Sequence, residues 1–80
     1  MKVLKLSSSP IKTCGACPTI FEFEIEDEPH YFRLRHGYAR LVKEDTSEIL
    51  IGGYMEGHDG VCDWDAVIDW AYNLNTAIVQ

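Results

Sequence analysis

Apolar and acidic positions alternate with period two over Phe21-Glu22-Phe23-Glu24-Ile25-Glu26, which predicts a strand with one buried face and one charged face. Asp27-Glu28-Pro29-His30 has the composition of a turn. The alternation resumes over Tyr31-Phe32-Arg33-Leu34-Arg35-His36, so the segment 20–36 is expected to form an antiparallel hairpin. A loop at 27–30 would set Glu26 opposite Tyr31, Glu24 opposite Arg33 and Glu22 opposite Arg35. The other face would then match Ile25, Phe23 and Phe21 with Phe32, Leu34 and His36.

Shorter alternating runs predict further strands at Lys2 to Leu6, Tyr38 to Lys43 and Glu48 to Ile51. They are separated by the connector Ser7-Ser8-Ser9-Pro10, a loop or knuckle over 11–19, the polar turn Glu44-Asp45-Thr46-Ser47 and a loop over 54–60. Within the knuckle, Pro18 biases Cys17 toward extended backbone. Near the end the period changes. Asp63 is a good N-cap, and Trp64, Val67, Ile68, Ala71, Leu74 and Ile78 recur at helical spacing, interrupted only by Asn75. The spacing predicts a helix over about 64–76 laid on the sheet. The expected fold is α+β: one domain over 1–80, an antiparallel sheet of about four to five strands with the 20–36 hairpin central, and one C-terminal helix on one face.

Length and charge narrow the function classes. Eighty residues allow a single small core, and 13 acids against 7 bases give a net charge of −6. The cations Lys2, Lys5, Lys12, Arg33, Arg35, Arg40 and Lys43 are too few for a phosphate-backbone binder, so direct nucleic-acid binding is not expected. The acidity would suit a protein partner with a basic surface, or serve only for solubility. The uncharged run from Trp70 to Gln80 is too short to span a bilayer, and the opening residues lack a signal-peptide core, so no membrane and a cytoplasmic location are expected. A homo-oligomer would add buried area to so short a chain.

Two constellations could carry chemistry. Cys14-x-x-Cys17 with His58-x-x-x-Cys62 supplies three thiolates and one imidazole, a zinc set that would staple the knuckle to the loop before the helix. The plainer reading makes Cys17 and Cys62 small buried apolar residues, Cys14 incidental and His58 exposed. A thioredoxin-like role fails because Cys14 has no helix start behind it. The second constellation is the charged face of the hairpin, with Glu22, Glu24, Tyr31, Arg33 and Arg35. Paired guanidinium forks suit phosphate or carboxylate oxygens. The plainer reading here is cross-strand ion pairing on a solvated face. No phosphate loop, nucleophile elbow or EF-hand order occurs, so catalytic residues are not expected.

Cys17-Pro18-Thr19-Ile20-Phe21-Glu22 followed by Tyr31-Phe32-Arg33-Leu34-Arg35-His36-Gly37-Tyr38 resembles a group of small, mostly uncharacterised phage and bacterial proteins. That group carries a Cys-Pro-Thr-x-aromatic-Glu segment and then a Tyr-x-Arg-x-Arg-x-Gly strand; Phe21 and His36 stand where its pattern has tryptophan. The resemblance implies a short accessory or anti-defence protein with a shared surface formed by Thr19, Glu22, Tyr31, Arg33 and Arg35. The leading expectation is therefore a non-catalytic binder of a small anionic, nucleotide-like ligand. The alternatives are an acidic module that blocks a basic partner and a zinc-stapled structural module.

Overall fold

The computed structural model describes residues 1–80. In chain order it contains β1 (Lys2–Lys5), β2 (Ile11–Gly15), β3 (Thr19–Ile25), β4 (Glu28–Arg35), β5 (Tyr38–Lys43), β6 (Glu48–Tyr54), α1 (Trp64–Asn73) and β7 (Thr76–Val79). Strands β2 to β6 form a five-stranded antiparallel sheet in sequence order, while β1 and β7 pair in parallel as a separate ribbon. The α+β class, the hairpin within the sheet and the single helix agree with the sequence pattern.

The register of the hairpin differs from the expected one. Left-handed backbone at Glu26 (φ 54°) and Asp27 (φ 62°) makes a turn of two residues, the geometry that matches strand twist. Glu28, Pro29 and His30 are therefore strand residues, and Phe21 lies opposite Phe32, Glu22 opposite Tyr31 and Phe23 opposite His30. Pro29 is tolerated because its carbonyl accepts from the Glu44 N–H at 3.0 Å. Having no N–H, it cannot donate back to Glu44, but that loss falls beyond Lys43, the last residue of β5, at the end of the ladder. The shift conserves which face each side chain occupies and changes its partner. His30 gains a place in the core, stacked on Phe23 at 6.4 Å.

Phe21, Phe23, Phe32, Leu34, Ala39 and Leu41 make the inner face of the sheet and are buried. Helix α1 covers one part of it: Trp64 meets Phe21 and Phe23 edge-on at 5.3 and 5.4 Å, and Trp70 meets Phe32 at 5.2 Å. The Trp70 indole N–H donates to the Gly53 carbonyl at 3.2 Å, so the buried ring leaves no polar atom unpaired. The β1–β7 ribbon adds Leu4, Leu6 and Ile78 to the same cluster.

The helix begins as expected, with the Asp63 carboxylate accepting from the Ala66 N–H at 2.9 Å. It stops at Asn73, earlier than expected, because Asn75 adopts φ 62° and reverses the chain. Thr76 to Val79 then form β7, so Ile78 reaches the core from a strand. The knuckle is also more regular than expected, since Ile11–Gly15 pairs with β3 around a bulge between Lys12 and Cys14. Cys17 is left-handed at φ 47° instead of extended, with its N–H held by the Gly60 carbonyl at 3.0 Å.

Candidate functional site

The helix and the β1–β7 ribbon pack on the inner face, so no element covers the outer face of the five-stranded sheet, where only Val42 is buried, by its neighbouring side chains. The registers arrange that face in cross-strand rows. One row runs Ile11, Glu22, Tyr31, Val42, Ile49, each residue opposite the next. The next runs Cys14, Ile20, Arg33, Arg40, Gly52, and a third runs Arg35, Tyr38, Tyr54. On the far side of the first row lie Glu24 and Pro29, with Glu44 bonded beside them. Successive rows are about 6.6 Å apart along the strands. The face is thus graded, with Glu22, Glu24 and Glu44 at one end and Arg33, Arg35 and Arg40 at the other.

The arginines are not neutralised within the fold. The expected pairs Glu24 with Arg33 and Glu22 with Arg35 do not form, because the register places Arg33 between Ile20 and Arg40. The only ion pair is Lys43 with Glu28 at 3.3 Å. Like charges at directly opposed strand positions destabilise an antiparallel pair, and Arg33 and Arg40 are such partners in a protein whose acids outnumber its bases 13 to 7. Arg33 and Arg40 are half-buried and Arg35 is exposed. Tyr38 stands edge-on to Tyr54 at 5.2 Å. Its hydroxyl lies 2.8 Å from the point where a Cβ on Gly52 would be, so a side chain at position 52 would displace the Tyr38 ring.

Glu22, Tyr31 and Arg33 meet, as the sequence suggested, around a shallow hollow of about 280 Å³ completed by Ile20 and Glu44. Arg35 shares their face one row beyond. Arg40, Tyr38 and Tyr54 belong to the same surface but were not singled out from sequence. Their signal was present in the alternation of Tyr38, Arg40 and Val42 after the two-residue turn His36-Gly37, which fixes Arg40 opposite Arg33. A larger hollow of about 380 Å³ lies between the helix and the loop after β6, where it is lined by Glu56, His58 and Asp69 among others. It contains no arginine or lysine and does not suit an anion.

Thr19 is a correction. It faces the core, is 0% exposed, and its hydroxyl donates to the Gly60 carbonyl at 2.8 Å, with the Gly15 carbonyl a second acceptor at 3.0 Å. It ties the knuckle to the loop before α1, the link that a zinc ion would have made in the alternative reading, and it cannot reach the outer face. Gly60 is needed there because a Cβ would fall 2.8 Å from the Cys17 Sγ.

The four candidate metal ligands Cys14, Cys17, His58 and Cys62 form no metal-binding group, and no cluster of three or more His, Cys, Asp or Glu side chains has metal-binding geometry. Cys14 lies in the outer-face row with Ile20, Cys17 is exposed and Cys62 is buried. The His58 Nδ1 is 3.0 Å from the Val61 carbonyl, which holds the ring in its own loop. Burial pushes the Cys62 thiol up to about 11, so it is a neutral core side chain. Of the aromatic residues on α1, Trp64 and Trp70 pack inward and Tyr72 is exposed. No helix is long and apolar enough to cross a membrane. No family model matches the chain, and no curated protein or solved structure matches it.

Proposed function

We propose that this protein is a non-catalytic binder of a small anionic, nucleotide-like ligand, held on the open face of the sheet. The observation that carries the reading is the set of three arginines on adjacent positions of β4 and β5, two of them directly opposed and none paired with an acid. Ion pairing within the sheet does not account for them. A ligand with phosphate or carboxylate oxygens would bridge Arg33 and Arg40 with forked hydrogen bonds. Arg35 would add charge one row away, and Tyr31 and Tyr38 offer rings on which a base can stack. Glu22 orients the remainder of the ligand, and Thr19 contributes only by fixing the start of β3. An accessory role of phage type, sequestering such a ligand, fits the resemblance noted in the two motif segments. The rival reading, an acidic module that blocks a basic partner, is supported by net charge alone.

Calorimetric titration with a panel of nucleotides and cyclic nucleotides tests the proposal. Hydrogen bonds to charged groups contribute about 1.5–3 kcal/mol each, so Arg33→Ala or Arg40→Ala should weaken binding about ten- to a hundredfold. Silence of the wild-type protein across the panel would reject the reading. Recovery of a basic protein by affinity capture, with binding that falls steeply in salt, would favour the rival.

A further inference from the structure

Resting on the reading above, we infer that the ligand carries a guanine base, with its anionic group on Arg33 and Arg40 and its Watson–Crick edge on the carboxylates of Glu22 and Glu44. The hollow that Arg33 borders also contains both acids, beside Tyr31 and Ile20. Neither carboxylate is ion-paired. Two free carboxylates within reach of an anion site repel a simple anion, so inorganic phosphate or a dicarboxylate is a poor fit. A ligand that suits the whole hollow has a negative end toward Arg33 and, toward Glu22 and Glu44, an end that only donates hydrogen bonds.

An ionised carboxylate accepts with two oxygens and donates nothing. Of the four common bases, guanine alone presents two neighbouring donors, N1–H and the N2 amino group, on one edge. Adenine and cytosine place an acceptor beside their amino group, and that acceptor would face a carboxylate oxygen. Uracil has one N–H between two carbonyls, both of which would be repelled. Ile20 and Tyr31 supply an apolar and an aromatic surface to the lining of the same hollow, where a purine ring has more area to stack than a pyrimidine. The graded charge therefore sets polarity as well as affinity: the ligand lies along the strands with its phosphate toward the β4–β5 turn.

The test is calorimetric titration of the full chain with the 5′-monophosphates of guanosine, adenosine, cytidine and uridine. The expected result is a preference for the guanosine nucleotide of at least tenfold. Replacing both acids, Glu22→Gln with Glu44→Gln, should reduce that preference to within threefold while Arg33→Ala still weakens binding of every nucleotide. Both acids are exposed, so the double variant should unfold at the wild-type urea concentration. Equal affinity for the adenosine nucleotide, or a guanine preference that survives the double substitution, would overturn the inference and leave the anion-binding reading standing. Absence of binding to all four would overturn the guanine inference, and silence across the wider panel of nucleotides and cyclic nucleotides as well would overturn both.

Discussion

Arg33 and Arg40 face each other across β4 and β5 with no acid between them, an arrangement that lowers stability. Like charges directly opposed in an antiparallel pair cost about 0.2–1 kcal/mol. Arg40→Thr should therefore stabilise the fold by that amount and raise the melting temperature of a domain this size by about 1–6 °C, while weakening ligand binding at least tenfold. Thermal unfolding followed by circular dichroism checks the first outcome and calorimetry the second; a fall in melting temperature would show that Arg40 holds the sheet together. Thr19 has the opposite character. Its hydroxyl lies between two carbonyls in the core, and Thr19→Val keeps the shape but leaves the Gly60 carbonyl short of that partner. The expected cost is about 1–3 kcal/mol, read as a lower urea midpoint with no change in ligand affinity once the protein is folded. Loss of affinity at full folding would return Thr19 to the site.

At the scale of elements, side-chain facing and the antiparallel hairpin were legible, and the register was not. Alternation from Phe21 to Glu26 and from Tyr31 to His36 fixed Glu22, Tyr31, Arg33 and Arg35 on one face, because a strand has period two whatever its partner. The partner depends on turn length, and Asp27-Glu28-Pro29 resembles a turn more than the Glu26-Asp27 pair that makes it. Moving the turn by this little took Arg33 and Arg35 out of register with Glu24 and Glu22 and set Arg33 between Ile20 and Arg40. The helix end misled for a related reason: Ile78 satisfies helical spacing from Leu74 and also strand alternation with Thr76. Asn75 decides between them, since asparagine tolerates left-handed backbone better than other residues with a side chain. Asn75→Gly should leave stability unchanged or slightly higher, whereas Asn75→Val should cost about 1–2 kcal/mol. A series of melting temperatures across Gly, Asn, Ala and Val at position 75 tests this, and the absence of that order would mean the β1–β7 ribbon dictates the turn.

For the whole molecule, one thin core lies between an open sheet and its cover of helix and ribbon, and total stability for 80 residues is expected at about 4–12 kcal/mol. A single buried ionisable group is a measurable share of that. Cys62 lies in this core with its thiol pushed from 9.0 to about 11, chiefly by burial and to a smaller extent by Asp63, against the opposing Lys12 charge. In the unfolded chain the thiol loses its proton near pH 9; in the folded protein it keeps it until about pH 11. The folded state therefore holds more protons across that window, and stability falls as pH rises through it. Below pH 9 the contribution is fully present. Urea unfolding at steps from pH 8 to 11 should show this decline, and Cys62→Ala, although less stable throughout because it leaves a cavity, should decline less steeply over the same range. Other groups titrate there too, so the difference between the two slopes is the quantity that reports Cys62. Parallel slopes would place the thiol in contact with water. Rapid reaction of all three cysteines of the native protein with a thiol reagent at pH 8 would say the same, since only Cys14 and Cys17 are accessible in the fold described.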